Sequence, residues 1–204
     1  MPTSRRIAFA IALFMIAVAP HPAAFAQGDP MAGHAMPGQI VIPKGAIITV
    51  ADVQFMQGMI AHHAQAIHMS RMAQAHGANA RVQKLADKID QSQIAEIRIM
   101  QAWLRRYQQV APDTGSWRTM HMAGMLTEAQ LRELDAAKGI EFDAAFLELM
   151  IQHHLGAIKM VDDLLATPRA AQEVDVSVFA TDVVTVQTAE IGVMRQMIGQ
   201  LSKP

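Results

Sequence analysis

The chain has 204 residues, 51% of them hydrophobic, and 18 acidic against 17 basic side chains give a formal charge of −1. That length suffices for one domain with a sizeable core, and the lack of a basic stripe interleaved with aromatics excludes a nucleic-acid partner. Cysteine is absent, which excludes disulfides, thiolate zinc sites and covalently attached haem, whereas 16 Met and 9 His stand beside 7 Phe and 1 Tyr.

Arg5 and Arg6 precede an apolar run from Ile7 to Ala19, and Ala24, Phe25 and Ala26 follow as a small-x-small site. This is the pattern of a signal peptide over residues 1–26, cleaved before Gln27, and it predicts a mature chain in the periplasm or outside the cell. No later segment reads as apolar and long enough to span a membrane. Residues 27–48 form a flexible segment that carries Met31, His34 and Met36 and ends in an extended lead-in broken by Pro43 and Gly45.

Helical signals then take over. Thr49 and Asp52 form a capping box for a helix that runs to about Ala75, before Gly77. Asn79 caps a second helix over about 80–108, which ends before Pro112. A loop follows, with Trp117 and the group Met120, His121, Met122 and Met125. Thr127 and Gln130 open a short helix to about Lys138, and a further helix covers about 142–166. Thr167 and Pro168 read as the cap and first turn of the last helix, because a proline there loses no hydrogen bond.

The chain repeats itself. Asp52, Phe55, Met59, Ile60, His62, His63, Ala66, Ile67 and Met69 recur at one fixed offset as Asp143, Phe146, Met150, Ile151, His153, His154, Ala157, Ile158 and Met160. Gln93, Glu96, Ile97 and Met100 recur as Gln187, Glu190, Ile191 and Met194. Such a match predicts duplication of one helical hairpin, with copies at about 50–108 and 141–202. The expected architecture is an all-α four-helix bundle over 49–204, with a short extra helix in the crossover.

At about 100° per residue, His62 and His63 flank the apolar stripe of their helix, with Met59 one turn below and the small Ala66 one turn above. His153, His154, Met150 and Ala157 repeat that pattern. Each copy therefore offers two imidazoles and a thioether to the interior, a set suited to copper. Met69 and Met160 are matched candidates. Glu96 and Glu190, on the stripe of the partner helix, need a partner, and the histidines are nearest. Asp52 and Asp143 are assigned a supporting role beside them. Met120, His121, Met122 and Met125, and the Met31, His34 and Met36 segment, are further candidate ligands. The alternative in every case is ordinary packing or hydrogen bonding.

The element from Met59 to Met69 (Met-Ile-x-His-His-x-x-Ala-Ile-x-Met), repeated from Met150 to Met160, resembles the signature of the domain-of-unknown-function 305 family. The Gln-x-x-Glu-Ile element and Gly139-Ile-Glu141-Phe142-Asp143 resemble it too. The resemblance implies a ferritin-like bundle, export and linkage to copper, with His62, His63, His153, His154, Met59 and Met150 as ligands.

The functional expectation is a metal-binding protein that sequesters or hands over copper, as Cu(I) or Cu(II), with silver as a second ion. Another periplasmic copper protein is the expected partner, with no membrane contact after cleavage. Two alternatives stay open. One is a carboxylate–histidine di-metal enzyme, although no Glu here has His three residues later. The other is a bundle whose His and Glu only satisfy one another.

Overall fold

The computed structural model describes residues 40–201, all-helical apart from turns and an extended lead-in. The signal-peptide reading of 1–26 and the Met31, His34 and Met36 group lie outside the described residues. The helices are α1 (Val50–Ser70), α2 (Met72–Ala75), α3 (Ala80–Arg106), α4 (Glu128–Ala136), α5 (Gly139–Ala166) and α6 (Val174–Leu201), with a 3-10 turn at Ser116–Arg118.

The capping signals at Thr49, Asn79 and Thr127 act as read. The Thr49 hydroxyl accepts the Asp52 N–H while Asp52 accepts the Thr49 N–H, at 3.2 and 2.7 Å. Asn79 accepts the N–H groups of Arg81 and Val82, and Thr127 and Gln130 cap each other. Each box satisfies donors that a helix start leaves orphaned.

Three boundaries differ. The first helix breaks at Arg71, leaving α2 as a single turn. α5 begins at Gly139, three residues early, because the His76 carbonyl accepts the Gly139 N–H at 2.8 Å. α6 does not start at Thr167 and Pro168: Arg169 and Ala171 take left-handed φ values of 67° and 54°, which no helix continues through. The helix instead starts at Val174, where the Glu173 carboxylate accepts the Val176 N–H.

α1 packs on α3, α5 on α6, and the two hairpins meet through α1 and α5. One apolar core joins Phe55, Met59, Met100, Trp103, Met160 and Phe179; another joins Met69, Ile89, Phe142, Phe146, Met150 and Met194. The first core takes the N-terminal part of α1 and the C-terminal part of α5, so these helices run antiparallel. Each fully buried Phe or Met contributes roughly 1.5–3 kcal/mol.

Every residue of α1 except Val50 and His68 is buried. The apolar stripe on its wheel underestimates this, because the segment after α3 covers the face a two-helix packing would leave wet. α6 also departs from expectation. It is long and apolar enough, by length and composition, to cross a membrane. Here Val176, Phe179, Val183, Ile191 and Met194 bury one face in the bundle.

Candidate metal centre

The two cores are divided by a polar layer. On each long helix the apolar cluster changes where the histidines, glutamines and glutamates fall: His62 and His63 on α1, Gln93 and Glu96 on α3, His153 and His154 on α5, Gln187 and Glu190 on α6. All four histidines are fully buried. Polar groups placed there must find partners inside the protein.

Two of them do so in the same way. His63 Nε2 lies 2.5 Å from Glu96 Oε2, and His154 Nε2 lies 2.8 Å from Glu190 Oε2. Donation from Nε2–H to the carboxylate fixes the tautomer and leaves the lone pair on Nδ1. Both Nδ1 atoms are buried and have no hydrogen-bond partner. A carboxylate on one ring nitrogen and an open lone pair on the other is the preparation that metal-ligating histidines receive.

The other two meet at the centre. The His62 and His153 rings lie 3.8 Å apart between centroids, tilted by 41°. His62 Nε2 donates to the Ala123 carbonyl at 3.1 Å. Neither nitrogen of His153 makes a well-formed hydrogen bond, although the backbone of His62 lies close enough to favour its protonation weakly. Within each pair the geometry repeats, with centroids 6.5 and 6.4 Å apart and ring planes at 57° in both.

Burial pushes the His153 imidazole well below its ordinary range, and the rings of His62, His154 and His63 push the same way. His153 is therefore neutral at pH 7 and able to ligate. Burial raises Glu190, but the hydrogen bond and electrostatic pull of the His154 ring N–H, and Lys88 with Nζ at 3.3 Å, outweigh it and hold the group below the ordinary value. The two halves differ here: the Glu190 side chain is 2% exposed and carries Lys88, whereas Glu96 is 21% exposed.

Met59 and Met150, one turn before His63 and His154, are fully buried on opposite sides of the layer. Met160 joins Met59 in one core and Met69 joins Met150 in the other. Among the described residues, no three histidine or carboxylate groups are arranged to hold one ion.

Asp52 and Asp143 do not support the histidines. They sit at the far ends of α1 and α5, where each clamps the interhelical turn of the other hairpin. Asp52 accepts the Ala171 N–H at 2.7 Å, and Asp143 accepts the Asn79 backbone N–H at 3.1 Å and its side-chain amide at 2.5 Å. Of the crossover group, Met122 is buried in the first core with Met120 and Met125 against it, and His121 is exposed.

Sequence reasoning missed what holds that crossover loop over the layer. Gln65 donates to the Leu126 carbonyl and accepts its N–H, at 3.0 and 2.7 Å. Gln152 donates to the Gly124 carbonyl at 3.3 Å. A Cβ on Gly156 would stand 2.1 Å from the Ala123 oxygen and 2.4 Å from the Gly124 Cα. Gln65 and Gly156 occupy the same place in the two copies, and their divergence was the available signal. One position reaches for the loop and the other makes room for it.

The sequence matches the family described as domain of unknown function (DUF305) over residues 52–198. Solved relatives share the fold. A DUF305 protein from Streptomyces coelicolor, described as a candidate secreted protein, is 27% identical with a TM-score of 0.66, over 74% of this chain and 93% of its own. A DUF305 fragment from Deinococcus radiodurans is 31% identical with a TM-score of 0.65, over 75% and 98%. CopM in its Cu(I)-bound form is 27% identical with a TM-score of 0.60, over 74% and 98%, and CopM has also been solved with Cu(II) and with Ag bound. No curated protein matches the sequence.

Proposed function

We propose that this chain, which belongs to the DUF305 family, is a soft-metal-binding protein that takes up Cu(I), and Ag(I) in its place, for sequestration or handover. The observation that carries the reading is the pair of buried, unpartnered Nδ1 atoms on His63 and His154, each with Nε2 on a glutamate. Met59 and Met150 lie one turn away as thioether donors, and His62 and His153 fill the space between. Glu96 and Glu190 act through the imidazoles, orienting each ring and raising its basicity. CopM, with copper or silver bound, supports the choice of ion. The paired hairpins are consistent with a ferritin-like four-helix bundle. The leader over residues 1–26 argues for export to the periplasm or beyond, where a copper protein without cysteine keeps its ligands. The reading is of a carrier, with no catalytic step assigned.

The competing reading is a structural layer in which His and Glu merely satisfy each other; the two short His–Glu contacts favour it. Metal content separates the two. The whole chain, purified without a histidine tag from copper-replete cells, should carry copper. In competition titrations under reducing conditions it should prefer Cu(I) and Ag(I) to Zn(II), since thioethers add little to zinc affinity. Absence of bound metal, or zinc binding as tight, overturns the proposal.

A further inference from the structure

A groove of about 460 Å³ opens beside the crossover loop, lined by His68 and Met72 from the first hairpin, by Trp117 and His121 from the crossover, and by α4 residues. His68 is one of two α1 residues left unburied, and Met72 follows it by four positions. Arg71 between them keeps helical φ and ψ, so the imidazole and the thioether share one face, a turn apart. The His68 ring stacks on Trp117 with centroids 4.9 Å apart and planes at 28°. His121 projects from the exposed part of the loop whose Ala123 carbonyl accepts His62.

The two rim carboxylates are exposed and each has one partner on the protein. Asp135 Oδ1 lies 3.0 Å from His76 Nε2, and Glu128 pairs with Arg132 at 3.6 Å. Arg118 and Arg132 also line the groove, and the Arg118 guanidinium lies 4.7 Å from the Trp117 ring centroid. The nitrogen and sulfur donors of His68, Met72 and His121 form a set that suits a soft ion. In the second copy the position of His68 is Lys159 and that of Met72 is Asp163, so the duplication does not supply this set twice.

We propose that this groove is a second, outer soft-metal site, in which His68, Met72 and His121 hold Cu(I) or Ag(I) beside Trp117. The inference rests on the reading of the chain as a soft-metal protein, yet it concerns different residues from the buried layer. The buried histidines have no exposure, so an ion needs a first landing place, and this groove borders the loop that covers them.

The test uses Ag(I) with the whole chain, following tryptophan emission and bound silver together. Trp117 borders the groove, whereas Trp103 is buried and donates to Glu173 at 2.9 Å. Ag(I) should quench an emission that Trp117→Phe abolishes. His68→Ala combined with His121→Ala should lose that quenching and bind one ion fewer. Met72→Leu, close in volume, should shift the quenching midpoint by about tenfold if sulfur is a ligand. His63→Ala combined with His154→Ala should keep the quenching. Quenching and stoichiometry that survive in His68→Ala with His121→Ala overturn the outer site and leave the buried one standing. Failure of silver to bind anywhere overturns both readings.

Discussion

The His153 imidazole has two ring nitrogens and no well-formed hydrogen bond for either. Its folded-state pKa lies well below the ordinary value, through burial and then the neighbouring imidazoles. Below the unfolded value, about 6.5, the unfolded chain binds a proton that the folded chain refuses, so stability falls as pH drops through that point. In the metal-free chain the melting temperature should decline from pH 7 towards pH 5, and His153→Gln should flatten the decline. A profile identical in both proteins would show that another group governs it. Glu190 adds a separate term at lower pH. Its depressed pKa stabilises the fold above the ordinary carboxyl range, and that contribution is lost as pH falls through the folded-state value. Glu96→Gln and Glu190→Gln keep shape but remove the charge that orients each histidine. Each should weaken Cu(I) binding by about 10–100-fold, measured with a chromophoric competitor. Unchanged affinity in both would remove the carboxylates from the site.

At the scale of helices and loops, the crossover is held by contact distance. Gly→Ala in a helix ordinarily stabilises by about 0.5–1 kcal/mol. At Gly156 the added Cβ meets backbone atoms of Ala123 and Gly124 at 2.1–2.5 Å, which cannot rotate away. Gly156→Ala should therefore destabilise, by roughly 1–3 kcal/mol in denaturant titration. Gly192, whose added Cβ meets nothing, should stabilise on the same change. The same sign at both positions would mean the loop does not bear on α5 as described. The helices and the His–Glu pairing were legible in the sequence because caps, a period of 3.6 and a duplicated motif all write themselves in side chains. The Ala123 carbonyl over His62 was not legible, since a backbone acceptor has no side-chain signature. Asp52 and Asp143 were misassigned because a helical wheel gives azimuth without height. Asp52 precedes His62 by ten residues, roughly 15 Å along the axis. The start of α6 was misread because the left-handed backbone at Arg169 and Ala171 is set by the turn that Asp52 grips.

Over the whole molecule, two apolar cores and a buried polar layer divide the labour. The cores carry folding stability, so the layer can hold four buried imidazoles and the buried Glu190 carboxylate, which a minimal bundle would replace with leucine. The aspartate braces tie each hairpin to the turn of the other. Asp143→Ala should cost about 1.5–3 kcal/mol by chemical denaturation, as expected for a lost hydrogen bond to a charged group, and should leave the Cu(I) affinity of the folded protein unchanged. A loss of affinity without a loss of stability would return Asp143 to the binding site. On this reading the layer between the cores holds the metal through His63 and His154. Anomalous diffraction from crystals loaded with Ag(I) would locate the ion. Density should lie within bonding reach of Nδ1 on one or both of these histidines, with a thioether of Met59 or Met150 on the same ion. Silver confined to the surface, with both Nδ1 atoms unliganded and the His–Glu bonds unchanged, would leave the layer a structural one.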